Sequence, residues 1–442
     1  MQLFWAFRGT RMATISNRTV VRCVFAIMIG IGLMSAPCAF AAVVFAVNST
    51  LDQVDDDTSD GVCHTTANTC TLRAAVMQAN RMPNAGATIT LPSGTYTLTR
   101  PPVGADDEYS GDLNLVIPSG YAPGPTTIIG AGADATIIDA NGIDRVLYVD
   151  SGRTVVLSRL TLRNGITATE GGGIYNDGTL TVDLCRIESN SANGGGGIGD
   201  GTSGSLLLKR STLHGNHAAF GGGLDQIKGS VDIVQSTISG NSASYDGGGI
   251  SATYPLSITS STIVFNNADR NGGGISFSQG TANVYNTTIA FNQAAGDNTT
   301  GGSGGGIYNA NFGVFNIRNT VVAGNNLSNA PIYDDCTGEI GIYGNNRYGE
   351  ISGCTAAAGS TGNWSAVASL DELGQLQNFG GPTQTLALVA PSTMIDGAAA
   401  SGCVDKNGIP LPTDQRGFPR IAGVRCDIGA FEYGIIFANG FQ

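Results

Sequence analysis

Between Ser151 and Asn326 the apolar positions recur at fixed distances from a repeated asparagine. Counting back three, eight and ten residues gives Ile187, Val182 and Leu180 before Asn190, then Leu213, Leu208 and Leu206 before Asn216. The same offsets give Ile238, Ile233 and Val231 before Asn241, and Ile263, Ile258 and Leu256 before Asn266. Val155, Leu157 and Leu162 join the series when Gly165 takes the asparagine position. Pairs two residues apart, broken by odd jumps, predict short strands separated by corners. Glycine runs close each unit at Ile174, Ile198, Leu224, Ile250, Ile275 and Ile307. At about 1 kcal/mol per glycine relative to alanine, such runs weigh against helix.

The asparagines Asn190, Asn216, Asn241, Asn266, Asn292 and Asn325 stand 26, 25, 25, 26 and 33 residues apart. A period of this size marks one supersecondary unit stacked on its copies. The fold expected is all-β, a right-handed parallel β-helix of coils of about 25 residues, each coil advancing by about one strand spacing. Asparagine accepts left-handed backbone at a corner and can bond to its equivalents above and below, so the row is expected to be a structural ladder. The longest interval holds about six extra residues in Gly296–Gly305, a predicted outward loop.

The first 41 residues read differently. Arg8, Arg11, Arg18 and Arg22 precede an apolar run from Cys23 to Met34, and Ala39-Phe40-Ala41 offers a small-x-small cleavage site, the pattern of an export signal. The run is shorter than the ~20 residues a membrane span needs. Removal of this segment takes 22 basic residues to 18 and leaves 34 acidic ones, a net charge near −16. Nucleic acid and anionic membrane surfaces are therefore excluded as expected partners, and no membrane span is expected in the mature chain. The expected location is outside the cytoplasm, secreted or on a bacterial cell surface.

Seven cysteines remain after that segment, six of them in sequence-close pairs: Cys63 with Cys70, Cys336 with Cys354, and Cys403 with Cys426. An oxidising compartment makes these disulfide candidates. Cys185, between Leu184 and Arg186 in a strand pattern, is expected to be a buried free thiol.

Before the repeats, Asp60-Gly61-Val62-Cys63 and Cys70-Thr71-Leu72-Arg73-Ala74-Ala75, followed by Asn80, resemble the CSLREA domain of exported bacterial repeat proteins. Ala74 stands where the motif carries its acid. Leu72 to Arg81 is the one predicted helix, with Leu72, Ala75, Val76 and Ala79 on one face, and it is expected to cap the open end of the solenoid. After the repeats, Asn378-Phe379-Gly380-Gly381-Pro382 through Leu388, Thr413-Asp414-Gln415-Arg416-Gly417 and Cys426-Asp427-Ile428-Gly429 through Glu432 are similar to the choice-of-anchor Q domain, found before sorting signals of surface proteins. Leu386 replaces a histidine usual in that family. Asp414, Arg416, Asp427 and Glu432 are expected to tie the last coil together through carboxylate–guanidinium pairs. The organisation expected is a signal at 1–41, a cap at 42–112, coils at 113–350, the anchor-like region at 351–434 and a sorting-tag-like tail at 435–442.

Candidate chemistry is sparse. Asp55, Asp56, Asp57 and Asp60 are oxygen ligands that calcium would suit, without the spacing of a recognised calcium loop; no other cofactor is implied. Many β-helices are pectate-lyase-like enzymes, and a hydrolase needs two carboxylates within roughly 5–10 Å. Glu170 and Asp246 precede glycine runs but lie three coils apart, some 14 Å by strand spacing. Asp200 and Asp225 fall on adjacent coils one position out of step, where a solvent-facing turn is expected. His214 and His217 flank Asn216 at one corner. These four are the catalytic candidates. The leading functional expectation is contact with a polysaccharide or cell-surface glycan as an adhesin or scaffold, against a lyase or hydrolase and a structural envelope protein.

Overall fold

A computed structural model describes residues 42–434 apart from 84–85, 105–106, 296–300, 329, 351 and 368. The expected signal, the tail at 435–442 and the first half of the predicted loop lie outside the described residues.

The chain is an all-β solenoid of stacked parallel strands. Each turn begins with a three-residue strand after its glycines: Ile174–Asn176, Ile198–Asp200, Leu224–Gln226 and Ile250–Ala252. These pair in register, Ile174 to Ile198 to Leu224 to Ile250, and the row continues through Ile275 to Ile307. A second strand follows in each turn (Thr179–Asp183, Ser205–Lys209, Ser230–Val234, Leu256–Thr259), then a third (Arg186–Glu188, Thr212–His214, Thr237–Ser239, Thr262–Val264). Every inward residue predicted from the repeat is at most 2% exposed. Stacking thus builds one continuous aliphatic core from units too short to bury a core alone.

The asparagines form the ladder the repeat implies. Asn190 N donates to Asn216 Oδ1 at 3.0 Å, Asn216 N to Asn241 Oδ1 at 3.0 Å, and the series runs on through Asn266 and Asn292 to Asn325. Each of these side-chain amides also donates to the next asparagine and back to a carbonyl of the preceding coil, as Asn241 Nδ2 does to Asn266 Oδ1 and Leu213 O. Gly165 N opens the series by donating to Asn190 Oδ1, confirming its place in the register, and Asp335 closes it by accepting from Asn325 N and Nδ2. One detail differs from expectation. The left-handed residue at this corner is the one before the asparagine, at Ser189, Gly215, Gly240, Phe265, Phe291 and Gly324, because the asparagine must turn inward for its amide to reach both neighbours.

At the N-terminal end, helix Leu72–Ala79 is capped by Thr71, whose hydroxyl accepts from Ala74 N, and is buried on every side. It packs on the first coils, with Leu72, Ala75, Val76 and Ala79 joining the core, and the Cys63–Cys70 disulfide fastens the preceding loop. Disulfides also join Cys336 to Cys354 and Cys403 to Cys426, and Cys185 is a buried free thiol. Burial pushes that thiol up to about 12, so it stays protonated and inert.

The C-terminal region does more than close the last coil. Its strands Leu373–Gln377 and Thr385–Leu388 pair antiparallel, and a separate core of Leu386, Met394, Ile428 and Phe431 covers the outer face of Val264, Ala290, Val321 and Ala323. Gln415 bridges to Thr237 and Thr262 Oγ1. The region therefore folds back along the flank of several coils, and parallel pairing persists beyond residue 350, to Asn363–Ala366. No helix among the described residues is long and apolar enough to cross a membrane.

Asn241 makes ladder contacts in both directions, so Asn241→Ala orphans buried donors and acceptors on two coils. A loss of about 2–4 kcal/mol is expected, read as a lowered urea midpoint.

Candidate functional site

The register separates the two aspartates that the sequence placed together. Asp225 pairs with Gly199 and Asp200 pairs with Gln226. One position along a strand reverses the face, so Asp225 points outward and Asp200 points into the core. Asp200 is fully buried beside Asn176, whose Nδ2 donates to its Oδ1 at 2.6 Å, while Oδ2 has no partner among the described residues. Burial pushes this carboxyl up to about 7. Neither residue lies in a turn, because the three residues after the glycines are strand; Asp200 is closed off in the core and Asp225 is half-buried on the outer face.

Asp225 instead meets Glu170, from two coils earlier. Glu170, Gly194 and Phe220 occupy one row by parallel bridges. Two coils span close to 10 Å, but the middle coil presents glycine at both facing positions, Gly194 and Gly199. A Cβ at Gly194 would strike Glu170 Oε2 and stand 2.7 Å from Asp225 Oδ2; one at Gly199 would stand 3.2 Å from Glu170 Cβ. The absent side chains are therefore the space in which two carboxyl groups converge. Glu170 Oε2 is buried and without a hydrogen-bond partner among the described residues. Both carboxyls are raised by burial, Asp225 to about 7, where the nearby Glu170 charge adds to the rise and the Ser251 hydroxyl opposes it.

Aromatic pairs flank this point on both sides. Tyr148 and Tyr175, preceding Gly199 in the outward row, stack with centroids 5.5 Å apart, and Arg145 lies 5.8 and 5.9 Å from their rings. Phe220 and Tyr245 stack at 5.1 Å, with Arg270 Cζ 4.4 Å from the Tyr245 centroid. Phe220 and Tyr245 are 39% and 38% exposed. Two neighbouring rows thus meet here, Tyr148, Tyr175, Gly199 and Asp225 in one and Glu170, Gly194 and Phe220 in the other, and along the stack of coils the order is cation, aromatic pair, carboxyl pair, aromatic pair, cation.

The other candidates do not converge on it. His214 bonds through Nδ1 to Ser239 and His217 through Nδ1 to Ser242 Oγ, each on a different sheet from the carboxyl pair. Asp55 accepts from Asp57 N, His64 N and Gln78 Nε2; Asp57 accepts from Ser59, and Asp60 from Val62 N. Asp55, Asp57 and Asp60 thus spend oxygens on their own loop and the helix beside it, and Asp56 pairs with His64. Asp55, Asp56 and His64 bring ligand atoms within 4.8 Å of one another, and His64 was absent from the sequence set. In the C-terminal region Arg416 pairs with Asp414 at 2.6 Å, as expected. Asp427 and Glu432 instead accept backbone amides, of Asp396 and Tyr433 and of Ala422 and Asp427, while Arg416 Nη2 donates to Glu432 O. A concavity of about 430 Å³ bounded by Arg318, Asn345, Asn363 and Arg425 contains no carboxylate among its lining residues.

Glu170 is named by the sequence but paired there with Asp246, whose Oδ1 accepts from Asn271. The signal for its true partner is the pair of off-pattern glycines in Asn193-Gly194-Gly195-Gly196-Gly197-Ile198-Gly199. Comparison with protein-family models, with curated proteins and with solved structures finds no match for this chain.

Because Asp200 titrates near 7 when folded and near 3.8 when unfolded, its cost to the fold is absent below pH 4, grows between pH 4 and 7 and is complete above 7. Asp200→Asn should stabilise the protein by about 2–4 kcal/mol at pH 8 and by almost nothing at pH 4. Melting curves at the two pH values check this.

Proposed function

We propose that this protein is an exported solenoid that binds polysaccharide along the row from Arg145 to Arg270. The observation that carries the reading is the two stacked aromatic pairs, spaced along two neighbouring rows and each held under a guanidinium. Ring faces stack on the C–H faces of sugars, and the stacked, cation-backed rings lose little freedom on binding. Strands at a fixed spacing present those rings as a rigid track, which matches a polymer better than a compact small molecule. A net charge of −12 for the whole chain repels polyanions, so a neutral glycan is the favoured ligand.

The export signal, the disulfides and the resemblances to CSLREA and choice-of-anchor Q domains support a location outside the cytoplasm, at the surface of a bacterial cell. The leading form of the reading is contact, as an adhesin or scaffold. Calcium has no role in it, since the aspartates at 55–60 lie in the cap, away from the row.

Retention of the purified protein on neutral and acidic polysaccharides tests the reading. Binding to a neutral polymer, weakened about tenfold or more by Tyr245→Ala and by Phe220→Ala with unchanged melting, is expected. Equal retention of wild type and both variants would remove the row from the binding surface.

A further inference from the structure

The carboxyl pair is not needed for adhesion. Stacking surfaces bind sugars without acids, and bringing two carboxyls together away from water costs free energy that no cation repays here. The guanidinium beside Tyr175, that of Arg145, is spent on Asp112 and Thr169. The arrangement nevertheless recruits two glycines to make room for the pair, and the coil that carries them lies between Tyr175 and Phe220, so a chain bound to both rings would cross the pair.

We propose that Glu170 and Asp225 are the catalytic pair of a glycoside hydrolase acting on the polysaccharide held by the flanking rings, with net retention at the anomeric carbon. This rests on the binding reading above. In the first step Asp225 donates its proton to the glycosidic oxygen while the Glu170 carboxylate attacks the anomeric carbon. The carbon–oxygen bond breaks, the leaving sugar departs with the proton, and a glycosyl ester forms on Glu170. In the second step a water attacks that carbon, Asp225 takes the water's proton, the ester bond breaks and Glu170 returns as carboxylate. Water is the only co-reactant, and both carboxyls end as they began.

Three features fix the roles. Asp225 is held protonated near neutral pH by burial and the facing carboxyl, which suits an acid. The two carboxyls meet over one α-carbon, closer than the roughly 6.5–9.5 Å that leaves room for a water between an inverting pair. Elimination, the lyase alternative, needs a cationic or metal-supported base at the sugar, whereas the two arginines of the row lie over rings. The titratable groups facing the pair among the described residues are Tyr175 and, beyond it, Arg145, Asp177 and Asp200.

The test incubates the purified protein with the neutral polysaccharide that it retains best and follows new reducing ends. Proton NMR reads the anomer first released. Wild-type turnover, lowered at least a hundredfold in Glu170→Gln and Asp225→Asn while retention is unchanged, is the supporting result. Ser251→Ala removes a hydroxyl that lowers the Asp225 pKa, so it should move the basic limb of the pH profile upward; this variant leaves both carboxyls in place should either of the others fail to fold. Retention of wild type without new ends overturns catalysis and leaves the binding reading intact. Turnover that survives in both carboxyl variants, or a first product of inverted anomer, overturns the assignment of the pair. Absence of both retention and turnover overturns the binding reading together with this one.

Discussion

The hydrogen bond from one asparagine to the same asparagine in the next coil is the contact on which the architecture depends. A parallel solenoid must turn several corners per coil, and at each corner the chain leaves its strand ladder with polar groups facing inward. At the row from Asn190 to Asn325 the side-chain amide supplies the missing donors and acceptors, one coil to the next. An inward corner without such an amide would bury unpaired backbone groups at a cost of about 1–3 kcal/mol each. Once that corner is fixed, the aliphatic positions three, eight and ten residues before it come into register on the core side. The opposite positions come into register on the outside.

Register also governs how a site can arise on such a surface. The neighbours of any outward residue are its equivalents one coil before and one coil after, so groups that meet at the surface come from different coils and not from neighbouring positions along the chain. Glu170 and Asp225 are 55 positions apart in sequence yet share one space, because the glycines of the intervening coil leave it empty. Asp200 and Asp225 are closer in sequence and lie on adjacent coils, yet they face opposite ways.

This explains which parts were legible in the sequence. The core, the ladder, the helix at Leu72–Ala79 and the three disulfides follow from periodicity and local spacing, which short-range physics fixes. The left-handed residue fell one place before the asparagine because the direction of a side chain at a corner depends on the coil below, which periodicity does not encode. The path of the C-terminal region was illegible for a related reason: Gln415 reaching Thr237 and Thr262 is a long-range contact with no repeat behind it. The carboxyl pair was missed because strand spacing counts backbone distance, and a glutamate leaning over two glycines spans a coil by itself.

The ladder also has a direction. From asparagine to asparagine the donation always runs toward the following coil, and the series stops at Asp335, whose carboxylate takes the last two donors with one oxygen and the amides of Gly349 and Glu350 with the other. A carboxylate has nothing to donate onward, so Asp335 is a terminator in the way that a stop codon is one. Between Asn292 and that stop, a whole added coil would keep the asparagine ladder in step and leave the residues from Arg145 to Arg270 undisturbed. A partial one would throw every later row out of step. Length in this molecule is thus a quantity that changes in whole coils, and the C-terminal region docked across several of them counts against any such change.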